Sequence, residues 1–311
     1  MYDYEQLNIF DITRPKFKIS KPIRLIELFA GVGSQAMALR DLRADFERYR
    51  VVEFDRFAVA SYNAIHGTDF KTTDIRNING ANLGICNTDK LCYIMTYSFP
   101  CQDLSSAGKQ LGMSKDSGTR SGLLWEVERL LNECEELPQV LLMENVPQVH
   151  SKKNVCDLEK WIKFLSDKGY SNFYKDINSK DYGVAQNRNR CFMVSILGNF
   201  SYDFPNFKTL KLSLEDYLEE TVDDNCYVNT EKTAKLLCKF NSKKQLLPQY
   251  SILTPKRTEY GKAIRKAYES GKIKESRHNM TTLEPRKDGL SNTLTTVLKD
   301  NWVLEVKKNV G

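Results

Sequence analysis

The chain is 311 residues long, 41% hydrophobic, 28% charged and 11% aromatic, a composition that excludes a disordered, collagen-like or disulfide-dense miniprotein. Its length fits two domains, or one large domain carrying a smaller one. The formal net charge of +6 is local: Glu231 to Asp288 holds 15 Lys and Arg against 6 Asp and Glu, a net +9 that leaves −3 for everything else, and such a block reads as a footprint for a polyanion or as a solvated surface.

Residues 1–21 lack sustained periodicity and read as an N-terminal arm. An apolar, strand-length run from Ile23 to Phe29 then leads through a glycine turn into helical spacing at Ala36, Leu39 and Leu42. The unit recurs. YRVVEFD predicts a strand followed by the helical RFAVASYNAI. LCYIMTYS predicts another strand and, after a polar loop, the helix LLWEVERLLNECEE with Leu123, Val127, Leu130 and Leu131 on one face. VLLMEN precedes the helix VCDLEKWIKFLSD, and CFMVSIL adds one more apolar run. Strands alternating with helices imply βαβ units and a mostly parallel sheet covered on both faces. Beyond a boundary near Asn199 to Pro205 this alternation stops, so the remainder predicts a small separate module carrying the basic block.

No run approaches the ~18 apolar residues that cross a bilayer, and the first ten residues lack an apolar leader core. The expectation is a soluble, cytoplasmic chain without membrane contact. Eight cysteines are scattered with no CxxC pair and no His-rich neighbourhood, so neither disulfides nor a metal site is expected, while a single nucleophilic thiol stays open.

Four clusters carry chemistry. Gly31-Val32-Gly33-Ser34-Gln35-Ala36 fits G-x-G-x-x-A between strand and helix, where absent Cβ atoms let a ligand approach backbone and helix N-terminus. About twenty residues on, Glu53 or Asp55 is placed to accept from ribose hydroxyls, as in a nucleotide-containing cofactor; an ordinary strand-to-helix turn is the plain alternative. Ser98-Phe99-Pro100-Cys101-Gln102 ends a strand, where open α/β sheets keep ligands, so Cys101 is a nucleophile or a buried inert thiol. Glu144-Asn145-Val146-Pro147 ends another, its carboxylate a helix cap or a cleft acid. In Gln186-Asn187-Arg188-Asn189-Arg190, alternate residues of an extended chain put Gln186, Arg188 and Arg190 on one side, a donor row for an anion or base edge, or a basic surface stripe.

In order and spacing, FAGVGS, SFPCQ, ENV and QNRNR resemble the motifs of the DNA (cytosine-5)-methyltransferase family over about residues 22–197. The resemblance implies a Rossmann-like α/β catalytic domain over residues 22–200 that uses S-adenosyl-L-methionine, and a basic target-recognition domain over residues 201–311 that binds duplex DNA. Phe29, Gly31, Gly33, Glu53, Asp74, Ile75, Phe99 and Leu123 would form the cofactor pocket, with Glu53 on the ribose and Asp74 and Ile75 beside the adenine. Cys101 would attack carbon 6 of cytosine, with Glu144 at ring nitrogen 3 and Arg190 and Arg188 at the exocyclic oxygen. Pro100, Asn145 and Gln186 would complete the substrate site, and the loop from Gln102 to Arg120 would close behind a flipped base.

Two departures from the family pattern stand out: Ser34 occupies a usual glycine position, and the family's last two motifs do not follow the recognition region. The latter raises the expectation of a second chain carrying them, or of a catalytically impaired DNA-binding member. The basic block would equally suit a tRNA cytosine methyltransferase. The glycine turn with Glu53 would suit an NAD-dependent oxidoreductase, a reading that leaves SFPCQ, ENV and QNRNR unexplained.

Overall fold

The structure, a computed structural model, describes residues 14–104, 111–115, 117–228, 230–240, 247–275, 280–294 and 301–305. The chain divides into two compact units, Met1–Ile177 with Asn189–Pro205, and Asn178–Arg188 with Asn206–Gly311.

The first unit is built on β1 (Ile23–Leu28), α1 (Ser34–Asp41), β2 (Phe46–Val52), α2 (Arg56–His66), the one-turn α3 (Gly80–Leu83), β3 (Cys92–Tyr97), α4 (Leu124–Glu133), β4 (Val140–Asn145), α5 (Val155–Asp167) and β5 (Tyr170–Asn178). After the short β6 (Gln186–Asn187), β7 (Asn189–Leu197) completes a six-stranded sheet of order β2-β1-β3-β4-β7-β5. β2, β1, β3 and β4 run parallel, while β7 runs antiparallel to β4. This is the α/β architecture the alternation predicts.

Strand alternation separates two cores. Tyr93, Met95 and Tyr97 of β3 enter the larger one with Val127, Leu130 and Leu131 of α4 and Leu158, Trp161 and Leu165 of α5, residues spaced three and four apart so that one helical stripe faces the sheet. Ile94 points the other way, to Leu25, Ala36 and Leu39. Trp161 is fully buried and donates through Nε1 to Tyr97 Oη at 3.1 Å, so the largest apolar side chain keeps its polar atom satisfied. Ser195 of β7 is also buried, and among the described residues nothing meets its hydroxyl.

The part of the expected arm that is described is tied down: Ser201 N donates to Pro15 O at 3.0 Å, and Phe17 meets Phe200 edge to face.

In the second unit, α6 (Glu231–Phe240) accompanies a three-stranded antiparallel sheet of β8 (Tyr250–Arg257), β9 (Thr281–Pro285) and β11 (Trp302–Glu305) in the order β11-β8-β9; β10 (Ser291–Asn292) pairs instead with β6. Its core is small, Leu236, Leu253 and Leu283 with Leu237, Leu247, Trp302 and Leu304 around them. Unlike the boundary read from the sequence, residues 178–188 belong to this unit. The chain turns back there because the Asn178 side chain accepts from the amides of Lys180 and Arg188. Every acid of the basic block has a partner: Glu231 with Lys235, Glu259 with Lys262, Glu269 with Arg257 and Arg265, Glu284 with Lys256, Asp288 with Arg286, and Glu275 with the Tyr260 hydroxyl. Lys266, Lys272, Lys274 and Lys287 are exposed outside these pairs.

Candidate active site

Strand register aligns the candidate residues of the first unit. Leu28 lies opposite Val52 and Tyr97, and Tyr97 opposite Met143, so Phe29, Glu53, Ser98 and Glu144 leave the sheet abreast at its carboxyl edge, where open α/β sheets hold ligands. Because β7 is antiparallel, it reaches the same edge with its first residues: Asn145 faces Cys191, and Arg190 lies one position beyond.

At the first of these ends the backbone turns left-handed at Phe29, Gly31 and Gly33, with φ of 56°, 56° and 80°. The two glycines are needed for different reasons. A Cβ on Gly31 would meet nothing within 4 Å, whereas on Gly33 it would lie 2.3 Å from His66 Nε2 and 2.5 Å from the Tyr62 ring. Gly33 is therefore a contact position between the loop and α2, and Gly31 an open one. Ser34, at the departure from the usual glycine, simply begins α1.

Glu53 and Asp55 separate cleanly. Asp55 caps α2 by accepting from Phe57 N at 2.8 Å and Ala58 N at 3.2 Å. Glu53 closes on the glycine loop, accepting from Gly31 N at 3.0 Å and Asp55 N at 2.9 Å. Its own carbonyl accepts from Thr73 N at 2.8 Å, which draws Asp74 and Ile75 to this end of the sheet. Asp74 caps the turn Ile75–Asn77 and pairs with Arg76, whose guanidinium holds its carboxyl below the usual range. Ile75 and Phe99 are buried in the larger core, against which Phe29, Leu123 and Cys101 pack, so the first two back the site and the last three reach its surface.

Below the glycine loop lies a buried polar group that inspection of the sequence missed. Glu27 is 1% exposed, accepts from Tyr62 Oη at 2.5 Å and from Ala36 N at 3.2 Å, and is pushed up by burial against those hydrogen bonds. It thereby anchors the start of α1. A lone glutamate inside an apolar strand was the available signal.

The SFPCQ and ENV segments are stitched together. Asn145, buried, donates through Nδ2 to Phe99 O at 3.0 Å and accepts from Val146 N at 2.8 Å. Pro100 O accepts from Ser121 Oγ at 2.6 Å, and Asp103 accepts from Arg120 N at 2.8 Å. Arg120 also reaches Gln102 Oε1, so both ends of the Gln102–Arg120 loop are clamped beside the thiol; residues 105–110 and 116 of the loop lie outside the described residues. Cys101 is half-buried. Burial pushes the Cys134 thiol up to about 11 and the Cys191 thiol up to about 12.

Arg190 Nε lies 3.0 Å from Glu144 Oε1, both side chains mostly shielded from water. The QNRNR row, in contrast, is divided. Gln186 and Arg188 belong to the second unit, where β6 pairs with β10, and only Arg190 belongs with Glu144 in the first. Donor alternation predicts the strand but not the division, which the Asn178 side chain imposes.

A family model for C-5 cytosine-specific DNA methylase matches residues 23–301. The chain belongs to this family. It is thus a methyltransferase, which sets aside the oxidoreductase reading. Among its relatives, the type II methyltransferase M2.ScrFI of Lactococcus lactis subsp. cremoris is 32% identical over 260 residues, covering 68% of this chain and 72% of its own length. The orphan methyltransferase M.SssI of Spiroplasma monobiae is 33% identical over 264 residues, covering 68% of each chain. The S. pombe Dnmt2 methyltransferase shares the fold, with a TM-score of 0.54 at 21% identity over 73% of this chain and 67% of that one. The expectation of a second chain finds no support in these relatives. Among the described residues, no helix of this methyltransferase is long and apolar enough to cross a membrane.

Proposed function

We propose that this methyltransferase methylates carbon 5 of a cytosine flipped out of duplex DNA, with S-adenosyl-L-methionine as donor and Cys101 as the covalent nucleophile. The supporting observation is the junction of the two motif segments: Asn145 bonds to Phe99 O, and Arg190 pairs with Glu144 at 3.0 Å. A thiol, a carboxylate and a guanidinium thus share one edge of a rigid sheet.

The residues fit the cofactor. Gly31 leaves open space where a side chain would stand, and the Glu53 carboxylate beside it is fixed by two amides while keeping lone pairs for ribose hydroxyls. Phe29, Gly33, Asp74, Ile75, Phe99 and Leu123 would form the rest of the pocket. When bound, the sulfonium supplies an electrophilic methyl group.

Carbon 5 of cytosine becomes nucleophilic only after addition at carbon 6. Cys101 Sγ would make that bond, while Glu144 holds a proton at ring nitrogen 3 so that the ring accepts the electron pair. Arg190, and Arg188 in the family pattern, would hold the exocyclic oxygen. After methyl transfer, loss of the carbon 5 proton and departure of Cys101 Sγ restore the aromatic ring. Pro100 and Asn145 fix the nucleophile loop, and Gln186 would contact substrate. The second unit would serve as the target-recognition domain, its exposed lysines meeting phosphates.

Cys101→Ser should abolish methyl transfer to duplex DNA while DNA binding persists. Duplex carrying 5-fluorocytosine should trap the unaltered protein covalently, since fluorine does not leave as a proton does. Turnover retained by the variant would overturn the assignment of the nucleophile.

A further inference from the structure

Three donor side chains that the mechanism does not use lie together in the first unit. His150 ends the turn Pro147–His150 that follows ENV, Asp176 lies in β5, and Cys191 lies in β7. His150 Nε2 is 2.9 Å from Asp176 Oδ1, and one donor atom from each of the three side chains lies within 4.8 Å of the other two. The topology explains the meeting: β5 neighbours β7 in the sheet, and Cys191 faces Asn145 across the β4–β7 pair, so the turn after Asn145 passes over both strands.

We propose that His150, Asp176 and Cys191 form a site for a thiophilic divalent cation of the zinc class. The donor set decides the class. A thiolate and an imidazole suit borderline cations, whereas magnesium and calcium demand oxygen throughout; three protein ligands with solvent as the fourth is an ordinary tetrahedral set. Bond lengths of about 2.0–2.3 Å at tetrahedral angles put donors roughly 3.3–3.8 Å apart, a small adjustment from the present cluster. Access is graded, because Cys191 is fully buried while the His150 and Asp176 side chains are each 33% exposed. An ion would therefore enter past the imidazole and carboxylate and settle on the sulfur.

Binding exchanges protons for the ion and needs no oxidant or reductant. The Cys191 S–H bond breaks as the sulfur–metal bond forms, and the proton leaves to solvent, an ionisation that a coordinated cation strongly favours. His150 presents its Nε2 lone pair with its ring proton on Nδ1. The ion would join β5 and β7 to the turn that follows Glu144 and Asn145, pinning the elements that carry Glu144 and Arg190. The inference stands apart from the methyl-transfer proposal, since metal binding is read without substrate.

The test uses the full chain with Cys86, Cys156, Cys226 and Cys238 changed to serine, because these four thiols are exposed and would bind cations on their own. After chelator treatment and dialysis, Zn2+ is titrated against a chromophoric chelator and Co2+ is followed by absorption. One ion per chain is expected, with a near-ultraviolet thiolate-to-cobalt band that Cys191→Ala removes. His150→Ala and Asp176→Asn should each weaken Zn2+ binding by at least about tenfold. These two lie at the surface and carry the test if Cys191→Ala, a core position, fails to fold by circular dichroism. Cobalt bound without a thiolate band, no binding, or affinity unchanged by His150→Ala and Asp176→Asn would each overturn the proposal.

Discussion

The two units of the chain are held by different means. In the first, two layers of buried side chains pack on a six-stranded sheet, and the candidate site is held by hydrogen bonds to the backbone: Glu53 on Gly31 and Asp55, Asn145 on Phe99, Ser121 on Pro100. In the second, a handful of leucines and Trp302 form the core, and exposed charge pairs cover the surface. Burial and directed hydrogen bonds fix positions to fractions of an ångström, as bond-making chemistry requires. Exposed ion pairs are worth about 0–1 kcal/mol each and exchange readily, which would suit the phosphate-binding surface proposed for the second unit.

The largest effect should come from attacking the two cores in parallel. Trp161→Ala removes a fully buried ring and should cost about 3–5 kcal/mol, enough to take cofactor binding with it. Leu253→Ala in the smaller core should cost about 2–4 kcal/mol and impair DNA binding while S-adenosylmethionine affinity survives. Urea unfolding followed by tryptophan emission and cofactor titration would check both; cofactor affinity lost equally in the two variants would show that the units do not stand apart.

Next in size is the contrast between the loop glycines. Gly33→Ala meets both the left-handed backbone and the α2 side chains, and about 3 kcal/mol is expected, whereas Gly31→Ala meets only the backbone term of about 1 kcal/mol. The thermal unfolding midpoint would rank them. Equal losses would mean that His66 and Tyr62 move aside freely.

A smaller effect should follow from pH. Burial lowers His66 from its ordinary 6.5, its Nε2 lying 3.1 Å from Val32 O and its Nδ1 buried without a hydrogen-bond partner among the described residues. The folded chain favours the neutral ring, so this contribution is complete above about pH 6.5 and is lost as pH falls from there toward the lower folded value. The unfolding midpoint should drop between pH 7 and 5, and less so in His66→Gln. An identical pH profile in that variant would remove the imidazole from the account.

The smallest effect per residue belongs to the second unit's surface. Changing Lys266, Lys272, Lys274 and Lys287 to alanine should lower DNA affinity modestly and flatten its dependence on log salt by roughly 0.9 for each phosphate left without its lysine. Unchanged affinity and slope would make the block a solvated surface, and the comparison between the units would lose its functional half.

Much of the first unit was legible because its strands are apolar runs and its helices show spacings of three and four, as at Val127, Leu130 and Leu131. The placement of the candidate site was legible where a motif ends a strand, as with Cys101 and Glu144 at the carboxyl edge of the sheet. Glu53 and Asp55 stayed equivalent in the residue pattern alone, with only the resemblance to favour Glu53, because backbone direction is what tells a helix cap from a loop acid. The antiparallel strands of the second unit are short and mixed in polarity, so no period announces β8, β9 or β11. The division of QNRNR turns on the Asn178 side chain, and the meeting of His150, Asp176 and Cys191 on strand order, neither of which spacing records.

Ser195 bears on the handling of this methyltransferase at the bench. Its hydroxyl sits among buried neighbours in β7 with nothing to bond to among the described residues, and leaving such a group unsatisfied costs about 1–3 kcal/mol. Ser195→Ala would remove that cost without adding volume. Five residues along the strand from Arg190, it leaves the reactive edge alone, so a hardier enzyme for long incubations with DNA lies one hydroxyl away.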